Sequence, residues 1–164
     1  MNIKVRLING AQPLEIIKKG DWIDLRANED VELPGLILRE GAVDIYARRI
    51  PLGIAMELPA GYEAIMAPRS STFKTFGIIS WNSIGVIDNT YCGNNDEWSF
   101  GAISLRKTVI KKGDRICQFR IQLSQKATFW QKLKWLFTSK IEVEYVDQLL
   151  GPDRHGFGAG TGLK

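Results

Sequence analysis

The sequence predicts an all-β domain, a barrel or a sandwich, and two features of its composition support this prediction. Aliphatic and aromatic residues come in short runs, as strands require, in most of the chain. Sixteen glycines and six prolines separate these runs at intervals typical of turns. A chain of 164 residues that is 45% hydrophobic can bury a substantial core, and the lack of internal repeats favours one domain.

The charge pattern restricts the classes of partner. The formal charge is +4, but basic and acidic residues are interleaved and form no long Lys/Arg block. This pattern suits a small anionic ligand and does not predict a nucleic-acid polymer as partner. The cysteines, Cys92 and Cys117, provide neither a disulfide framework nor a metal site. The sequence shows no signal peptide and no apolar run long enough to span a membrane, so we expect a soluble cytoplasmic protein.

Alternation and turn residues predict the strands of the first half of the chain. Asp24 lies in such a strand between two apolar residues, and in most strands a carboxylate in this position faces solvent. Residues 28–35 are polar and end in Pro-Gly, which predicts a loop. The predicted strands are residues 3–7, 20–27, 42–47, 50–58 and 63–68.

The tripeptide Arg69-Ser70-Ser71 is suited to phosphate. A guanidinium fork, two hydroxyl groups and the amides of a turn are all donors for phosphate oxygens. The alternative is a surface turn with a capping serine. Residues 72–77 are predicted to form a short helical turn that begins at these serines, and its first amides would add to the anion site.

Residues 83–93 place a carboxylate where an ordinary strand would bury an aliphatic side chain. Val86 and Ile87 indicate the end of a buried strand, and Asp88-Asn89-Thr90 indicates a turn. Tyr91 is the first large side chain of the returning strand, so the stretch predicts a β-hairpin with Asp88 at its corner. Asp88 is a candidate functional acid, and the alternative is that it only binds its own turn backbone.

The second half of the chain predicts further strands at residues 98–105, 108–110, 115–122 and 141–146. In residues 115–122, strand alternation places Ile116, Gln118, Arg120 and Gln122 on one face, opposite Cys117 and Phe119. Gln118 is either a ligand group or an edge residue.

Residues 124–140 differ from the rest because their apolar residues follow helical spacing. Phe129, Trp130, Leu133, Leu136 and Phe137 define one face of a short amphipathic helix, and Trp135 lies away from it. The helix either packs with this face on its own barrel or on a neighbouring subunit, or binds a partner protein or a membrane surface.

The C-terminal residues 154–162 contain four glycines, together with Arg154 and Phe157. So many glycines do not hold a fixed backbone by themselves, and a flexible tail is one interpretation. The other is a flap that a ligand orders, in which Phe157 stacks on a base while Arg154 and glycine amides such as that of Gly158 contact phosphates.

In order and spacing, five of these elements resemble the motifs of the trimeric dUTP pyrophosphatases (dUTPases). They are the acidic strand at Asp24, Arg69-Ser70-Ser71, the Gly85-Val86-Ile87-Asp88-x-x-Tyr91 stretch, residues 113–118 and the glycine-rich tail. The resemblance extends over residues 20–162. It implies a dUTPase-like β-barrel or jelly-roll subunit at residues 1–150, with a helical insert at about 124–140. It also implies a flexible flap at residues 151–164 and a homotrimer with active sites shared between subunits.

The resemblance implies hydrolysis of dUTP to dUMP and pyrophosphate. Asp88 matches the acid that activates the attacking water, and Tyr91 matches the tyrosine that stacks under the deoxyribose and excludes a 2′-hydroxyl. Asn82 matches the residue that reads uracil, assisted by backbone groups of Gly85 and Ile87. Mg²⁺ is held mainly by the triphosphate, without a protein ligand cluster. The phosphate contacts are Arg69, Ser70, Ser71, Gln118, Arg154 and Gly158, and Phe157 is the uracil stack.

Some features depart from the family pattern or leave alternatives. Asp44 competes with Asp24 as the acid of the first motif, but only Asp24 has the usual spacing to Arg69. The tail has His155 where glycine is usual and a shorter spacing from Arg154 to Phe157. A dCTP deaminase of the same fold and a dUTP-responsive protein-binding module, with a protein partner at the insert, remain alternatives. Asn82 and Tyr91 argue against the first, and Asp88 with Arg69 against the second.

Overall fold

In the computed structural model the chain forms a mostly β body with two short helices among the residues described, which are 1–16, 20–137 and 140–154. The helices are α1 (Thr72–Phe76) and α2 (Phe129–Phe137). The strands are β1 (Asn2–Leu7), β2 (Ile23–Arg26), β3 (Val31–Leu33), β4 (Ile37–Arg39), β5 (Ala42–Asp44), β6 (Tyr46–Pro51), β7 (Ile54–Glu57), β8 (Tyr62–Pro68), β9 (Ile78–Ser80), β10 (Gly85–Asp88), β11 (Ser99–Ser104), β12 (Thr108–Ile110), β13 (Arg115–Leu123) and β14 (Glu142–Tyr145). The prediction of an all-β fold with one short helix near the C-terminus is confirmed.

The strands form small sheets that enclose one core. A four-stranded sheet has the order β10-β8-β13-β2, and three-stranded sheets have the orders β14-β1-β7 and β6-β11-β9. Two further pairs are β12-β3 and the hairpin β4-β5. β1 and β14 pair in parallel, which joins the two ends of the described chain.

The core is built from alternate side chains of these strands together with large aromatic residues. Trp98, Phe100 and Phe119 are almost completely buried, and the rings of Trp98 and Phe119 meet edge to face with centroids 5.2 Å apart. Burying a large apolar side chain stabilises a fold by about 1.5–3 kcal/mol, so these residues fix how the sheets pack. Neither helix in the described part of the chain is long and apolar enough to cross a membrane.

Two predicted boundaries in the first half are wrong. Residues 28–35 are not only a loop, because they contain β3, which pairs with β12. Residues 50–58 do not form one strand, because the chain breaks between β6 and β7. There the amide of Leu52 donates to the Trp98 carbonyl, and the amide of Gly53 donates to the carboxylate of Glu97. Backbone groups that bond to a crossing loop cannot continue a strand ladder.

The predicted hairpin with its return strand at Tyr91 is also wrong. β10 pairs with β8, and the next strand, β11, lies in another sheet between β6 and β9. A tight turn does follow β10, because the Tyr91 amide donates to the Asp88 carbonyl over 3.2 Å. Beyond it, buried Asp96 accepts a hydrogen bond from the Gly93 amide and holds the chain as a compact loop. The predicted burial of Val86 and Ile87 is wrong for Val86, which is exposed, whereas Ile87 is buried.

The helix α2 is confirmed, but the side that packs on the body is not the predicted one. Trp135 contacts Tyr62, with ring centroids 5.7 Å apart, and Gln131 donates to the Ala60 carbonyl. In β13, a bulge between Arg115 and Cys117 shifts the register, so Ile116 and Cys117 are both buried and the predicted alternation of faces begins only at Cys117. Most of the predicted apolar stripe of α2 is exposed: Phe129, Trp130, Leu136 and Phe137.

Candidate functional site

Asp24, the acid chosen for the first motif, is buried and paired with two arginines. Its side chain is 6% exposed, although the strand pattern alone favours a carboxylate that faces solvent. Arg69 Nε lies 2.8 Å from one carboxylate oxygen, and Arg115 Nη1 lies 3.3 Å from the other. A buried carboxylate needs such partners because removal from water disfavours an unpaired charge. Asp24 therefore holds both guanidinium groups in place.

The register of the four-stranded sheet explains why these residues meet. β13 lies between β8 and β2, and Gln118 is aligned with Ala67 on one side and with Asp24 on the other. Arg69 follows directly after β8, so it emerges beside Asp24. Gln118 Nε2 donates to the Pro68 carbonyl over 3.4 Å. The structure thus brings together Asp24, Arg69 and Gln118, which the sequence assigns to three separate motifs.

The turn that carries Ser70 and Ser71 is fastened by Thr72, which sequence reasoning did not single out. The Arg69 amide donates to Thr72 Oγ1 over 3.0 Å, and Thr72 Oγ1 donates to the Ile116 carbonyl over 2.7 Å. Ser71 Oγ accepts a long hydrogen bond from Arg69 Nη1, and Ser70 is exposed. α1 begins after Ser71, as predicted, but Ser71 makes no side-chain capping bond. The sequence signal for this role of Thr72 is a threonine three residues after Arg69.

Asp88 ends β10 as an ionised carboxylate with three donors around it. Oδ1 accepts hydrogen bonds from the amide of Thr90 at 2.8 Å and from its hydroxyl at 2.5 Å. Oδ2 lies 2.5 Å from Arg154 Nη1. Burial raises the pKa of Asp88, but the hydrogen bonds from Thr90 and Arg154 outweigh it and lower the pKa to about 2. Asp88 does bind its own turn, and it also faces the only arginine of the C-terminal motif.

Arg154 reaches Asp88 because the residues before it are anchored on the loop after Tyr91. The Arg154 amide donates to both carboxylate oxygens of Asp96 at 2.9 Å. The Asp153 carboxylate accepts hydrogen bonds from the amide and the side chain of Asn95, at 2.8 and 2.6 Å. At Gly93 any Cβ would lie 2.1 Å from the Asp153 carboxylate, so the close approach requires glycine.

The residues predicted to read the nucleoside lie around β10. Asn82 is exposed in the turn before the strand, and Gly85 is so close to Met66 that a Cβ would lie 3.1 Å from the Met66 methyl group. Ile87 is buried. The Tyr91 side chain is also buried within the chain, and its hydroxyl donates to the Glu97 carbonyl over 3.1 Å. Phe157 and Gly158, predicted for the flap, lie outside the described residues.

The predicted residues form two groups at opposite ends of β8. Asp88 is aligned with Glu63 near the start of β8, whereas Arg69 follows its last residue, Pro68. Six residues of extended chain span about 20 Å, so one chain does not place Asp88 and Arg69 in a single site. We name the groups by their elements: the β8-end group is Asp24, Arg69 and Gln118, and the β10-end group is Asp88, Thr90 and Arg154.

Among the residues that the structure describes, no three His, Cys, Asp or Glu side chains converge to hold a metal ion. The two carboxylates of the candidate site, Asp24 and Asp88, are already bound by arginine or threonine donors. Mg²⁺ usually keeps several water ligands and is bound through one or two carboxylates and substrate phosphates, so such a cation does not require a cluster of protein ligands.

A mostly β body that positions arginines beside carboxylates is suited to a protein that binds a small anionic ligand. The comparisons make this specific, because residues 24–133 match the family model of dUTPase. The chain belongs to the dUTPase family. An SPbeta prophage-derived deoxyuridine 5′-triphosphate nucleotidohydrolase of Bacillus subtilis is 46% identical over 165 aligned residues and 100% of both chains.

Other relatives agree with this assignment. The deoxyuridine 5′-triphosphate nucleotidohydrolase of Neorickettsia sennetsu is 35% identical, over 72% of this chain and 76% of its own. Among solved structures, the dUTPase of Streptococcus mutans is 20% identical with a TM-score of 0.61, over 73% of this chain and 94% of its own. The dUTPase of phage phi11 of S. aureus is 18% identical with a TM-score of 0.61, over 77% and 93%. At such identities the structures establish the fold alone.

Proposed function

We infer that this chain is a dUTP diphosphatase, which hydrolyses dUTP to dUMP and pyrophosphate by attack of water on the α-phosphorus. Its membership of the dUTPase family and its full-length likeness to a dUTP nucleotidohydrolase support this function. One observation in the structure carries the mechanism: the Asp88 carboxylate is ionised, fixed by Thr90, and in contact with Arg154 of the C-terminal segment.

Asp88 acts as the general base. Its Oδ1 is held by Thr90, so Oδ2 is the oxygen that can accept a proton from water once Arg154 leaves it. A carboxylate with a pKa of about 2 is a weak base, and loss of the Arg154 contact raises this pKa. Movement of Arg154 from Asp88 to the substrate's phosphates therefore strengthens the base when substrate is bound.

The triphosphate is bound by arginines that carboxylates hold in position. Arg69, oriented by Asp24, donates charge-assisted hydrogen bonds to phosphate oxygens, with Ser70, Ser71 and Gln118 beside it. Arg154 supplies a second guanidinium from the C-terminal segment. Mg²⁺, carried by the phosphates, would neutralise negative charge that develops during attack. A phi11 dUTPase variant is described with a structural Mg(II) ion, which supports the same metal here.

The nucleoside is recognised around β10. Asn82 and the backbone of Gly85 and Ile87 bind the edge of uracil, and Tyr91 packs against the deoxyribose. A 2′-hydroxyl then has no room, and this excludes UTP. Phe157 and Gly158 close over the substrate, with residues 151–164 acting as a flap on the domain at residues 1–150.

The active enzyme is a homotrimer in which neighbouring chains complete each site. The β8-end group and the β10-end group are about 20 Å apart along β8, too far for one dUTP to engage both in a single chain. A neighbouring subunit that presents its β10-end group to this chain's β8-end group removes this separation. The enzyme acts on free deoxynucleotides, and we place it in the cytoplasm.

The test is to measure pyrophosphate release with Mg²⁺ from dUTP, UTP, dCTP and dTTP in parallel, with an assay for free ammonia. We expect pyrophosphate from dUTP, little from the other three, and loss of activity with EDTA. Ammonia from dCTP would instead identify a deaminase of the same fold. No product from any of the four would contradict catalysis and leave a dUTP-responsive binding module.

A further inference from the structure

The helix α2 presents its apolar side to solvent, which is unusual for an amphipathic helix on a folded body. Phe129 is 70% exposed, Trp130 74%, Leu136 78% and Phe137 83%. The Phe129 and Trp130 rings meet edge to face, with centroids 5.5 Å apart, so they form a continuous apolar surface. We name these four side chains the α2 ridge. So much exposed apolar area on a short segment indicates a binding surface.

The opposite side of α2 is fixed to the body, so the ridge cannot simply turn inward. Trp135 packs on Tyr62, and Gln131 donates to the Ala60 carbonyl over 2.6 Å. At about 100° per residue, Gln131 and Trp135 lie within about 40° of each other and face away from the centre of the ridge. Thr128 and Gln131 form a reciprocal cap at the start of the helix. The orientation of α2 is thus set by specific contacts.

Lysines border the ridge on both sides. On the same helical projection, Lys132 and Lys134 each lie about 100° from its centre, one on either side. Residues 124–141 contain four lysines and no acidic residue. Lys140 pairs with Glu142 at 3.6 Å, but Lys126, Lys132 and Lys134 are exposed and have no carboxylate within ion-pair distance in the described part of the chain. The ridge and its borders therefore carry net positive charge.

We propose that α2 binds the surface of membranes that contain anionic phospholipid, with the α2 ridge in the headgroup layer and Lys132 and Lys134 on lipid phosphates. Aromatic and aliphatic side chains flanked by lysines fit an interfacial helix, whose cations remain at the headgroups. Contact between the ridges of two copies fits poorly, because it would bring four lysines together without a carboxylate. A protein partner would need a groove complementary to this convex ridge, whereas a lipid surface needs none.

The experiment measures co-sedimentation of the full chain with two kinds of vesicle, phosphatidylcholine alone and equal parts of phosphatidylcholine and phosphatidylglycerol. We expect binding to the mixed vesicles that weakens as salt increases, and little binding to phosphatidylcholine. The variant Trp130→Ser/Phe137→Ser should bind about tenfold more weakly or worse, because two large apolar side chains no longer enter the bilayer. Lys132→Glu/Lys134→Glu should lose about tenfold or more, because each lysine near an anionic surface contributes to binding.

Matched control variants carry the same kinds of substitution, apolar to serine and lysine to glutamate, at positions outside α2. Leu150→Ser removes a side chain that is 87% exposed but distant in sequence from α2, and Lys107→Glu reverses an exposed charge. Both should bind mixed vesicles like the unchanged protein, and dUTP hydrolysis by every variant should show that the fold is intact.

Three results would overturn the proposal. They are an absence of binding to mixed vesicles at low salt, binding that the α2 variants do not weaken, and equal binding to both kinds of vesicle. A change in oligomeric state by sedimentation in Trp130→Ser/Phe137→Ser would also overturn it, because a second copy would then cover the ridge.

Discussion

Arg154 Nη1 lies 2.5 Å from Asp88 Oδ2, so the arginine that the sequence assigns to the substrate's phosphates is bound to the candidate catalytic carboxylate. The same nitrogen is 2.8 Å from Thr90 Oγ1. Both side chains of the ion pair are about half exposed. The Arg154 guanidinium therefore needs little desolvation to leave Asp88 and bind a phosphate.

Asp88→Asn should bind dUTP but hydrolyse it slowly. Loss of a general base typically lowers turnover by a factor of about 10² to 10⁴. Pyrophosphate release gives the rate, and calorimetric titration with a non-hydrolysable dUTP analogue gives the affinity. Asp147→Asn, a change at an exposed carboxylate outside the candidate site, should leave both unchanged. Near-normal turnover of Asp88→Asn would refute the role of Asp88.

Arg154→Gln should raise the pKa of Asp88 above about 2 but leave it below 3.8, because the Thr90 donors remain. A titration of the ¹³C carboxyl shift measures this pKa directly. Folding lowers the pKa of Asp88, so the ion pair stabilises the fold fully at pH values above the unfolded-state pKa of about 3.9. This stabilisation is lost as the pH falls towards about 2, the pKa of Asp88 in the folded state. For a pair this exposed we expect less than about 1 kcal/mol at neutral pH. An unchanged pKa would show that Arg154 does not hold Asp88 in solution.

Tyr91→Ala should relax discrimination against UTP and also destabilise the fold. Tyr91 is 6% exposed, and truncation of a buried aromatic side chain costs about 3–5 kcal/mol. Tyr91→Phe keeps the ring and loses the bond to the Glu97 carbonyl, for about 0.5–1.5 kcal/mol. It should retain the selectivity. The ratio of kcat/KM for dUTP and UTP, measured well below each variant's Tm, separates the two effects. Equal ratios in the alanine variant and the unchanged protein would count against the sugar-packing role.

Asp24→Asn should weaken dUTP binding through Arg69. The substitution removes the charge that holds Arg69 and Arg115, and it leaves the partly buried Arg69 without its carboxylate, whereas Arg115 keeps its ion pair with Glu15. We expect a loss of about 2–3 kcal/mol in stability, less than for a fully buried pair because both arginines reach solvent. The KM for dUTP should rise more than kcat falls. Glu15→Gln, at a carboxylate that is about half exposed, is the control and should cost under about 1 kcal/mol. Equal effects of the two variants would refute a special role for Asp24.

Gly61→Ala should weaken the attachment of α2 to the body, because the added Cβ displaces the Gln131 side chain while the contact of Trp135 with Tyr62 remains. Gly61 has φ +84°, and a Cβ there would lie 2.4 Å from Gln131 Oε1. Gly41→Ala is the matched control, because Gly41 has φ +77° but nothing within 4 Å of the added atom. Both variants incur about 1–2 kcal/mol of backbone strain. Hydrogen exchange of the α2 amides should accelerate only in Gly61→Ala, and acceleration in both would show that strain alone is the cause.

Short-range pattern predicted much of the fold because strand alternation and turn residues act within a few positions. β1, β8, α1 and the existence of α2 follow from such patterns. The break at Gly53 and the orientation of α2 did not, because distant groups decide them: Glu97 and Trp98 in one case, Tyr62 and Ala60 in the other. The pattern of apolar residues in a segment indicates which face is apolar, but it does not indicate whether the rest of the protein covers that face.

By itself, the sequence determined the family and the β class and predicted which side chains carry the chemistry, because residue types at fixed spacing define donors and acids wherever the chain places them. Only the tertiary structure decided that Asp24 is buried between Arg69 and Arg115, that Arg154 binds Asp88, and that the two groups of site residues stand at opposite ends of β8. These relationships depend on strand register and on contacts between residues far apart in the chain, and such contacts form only when the whole core packs.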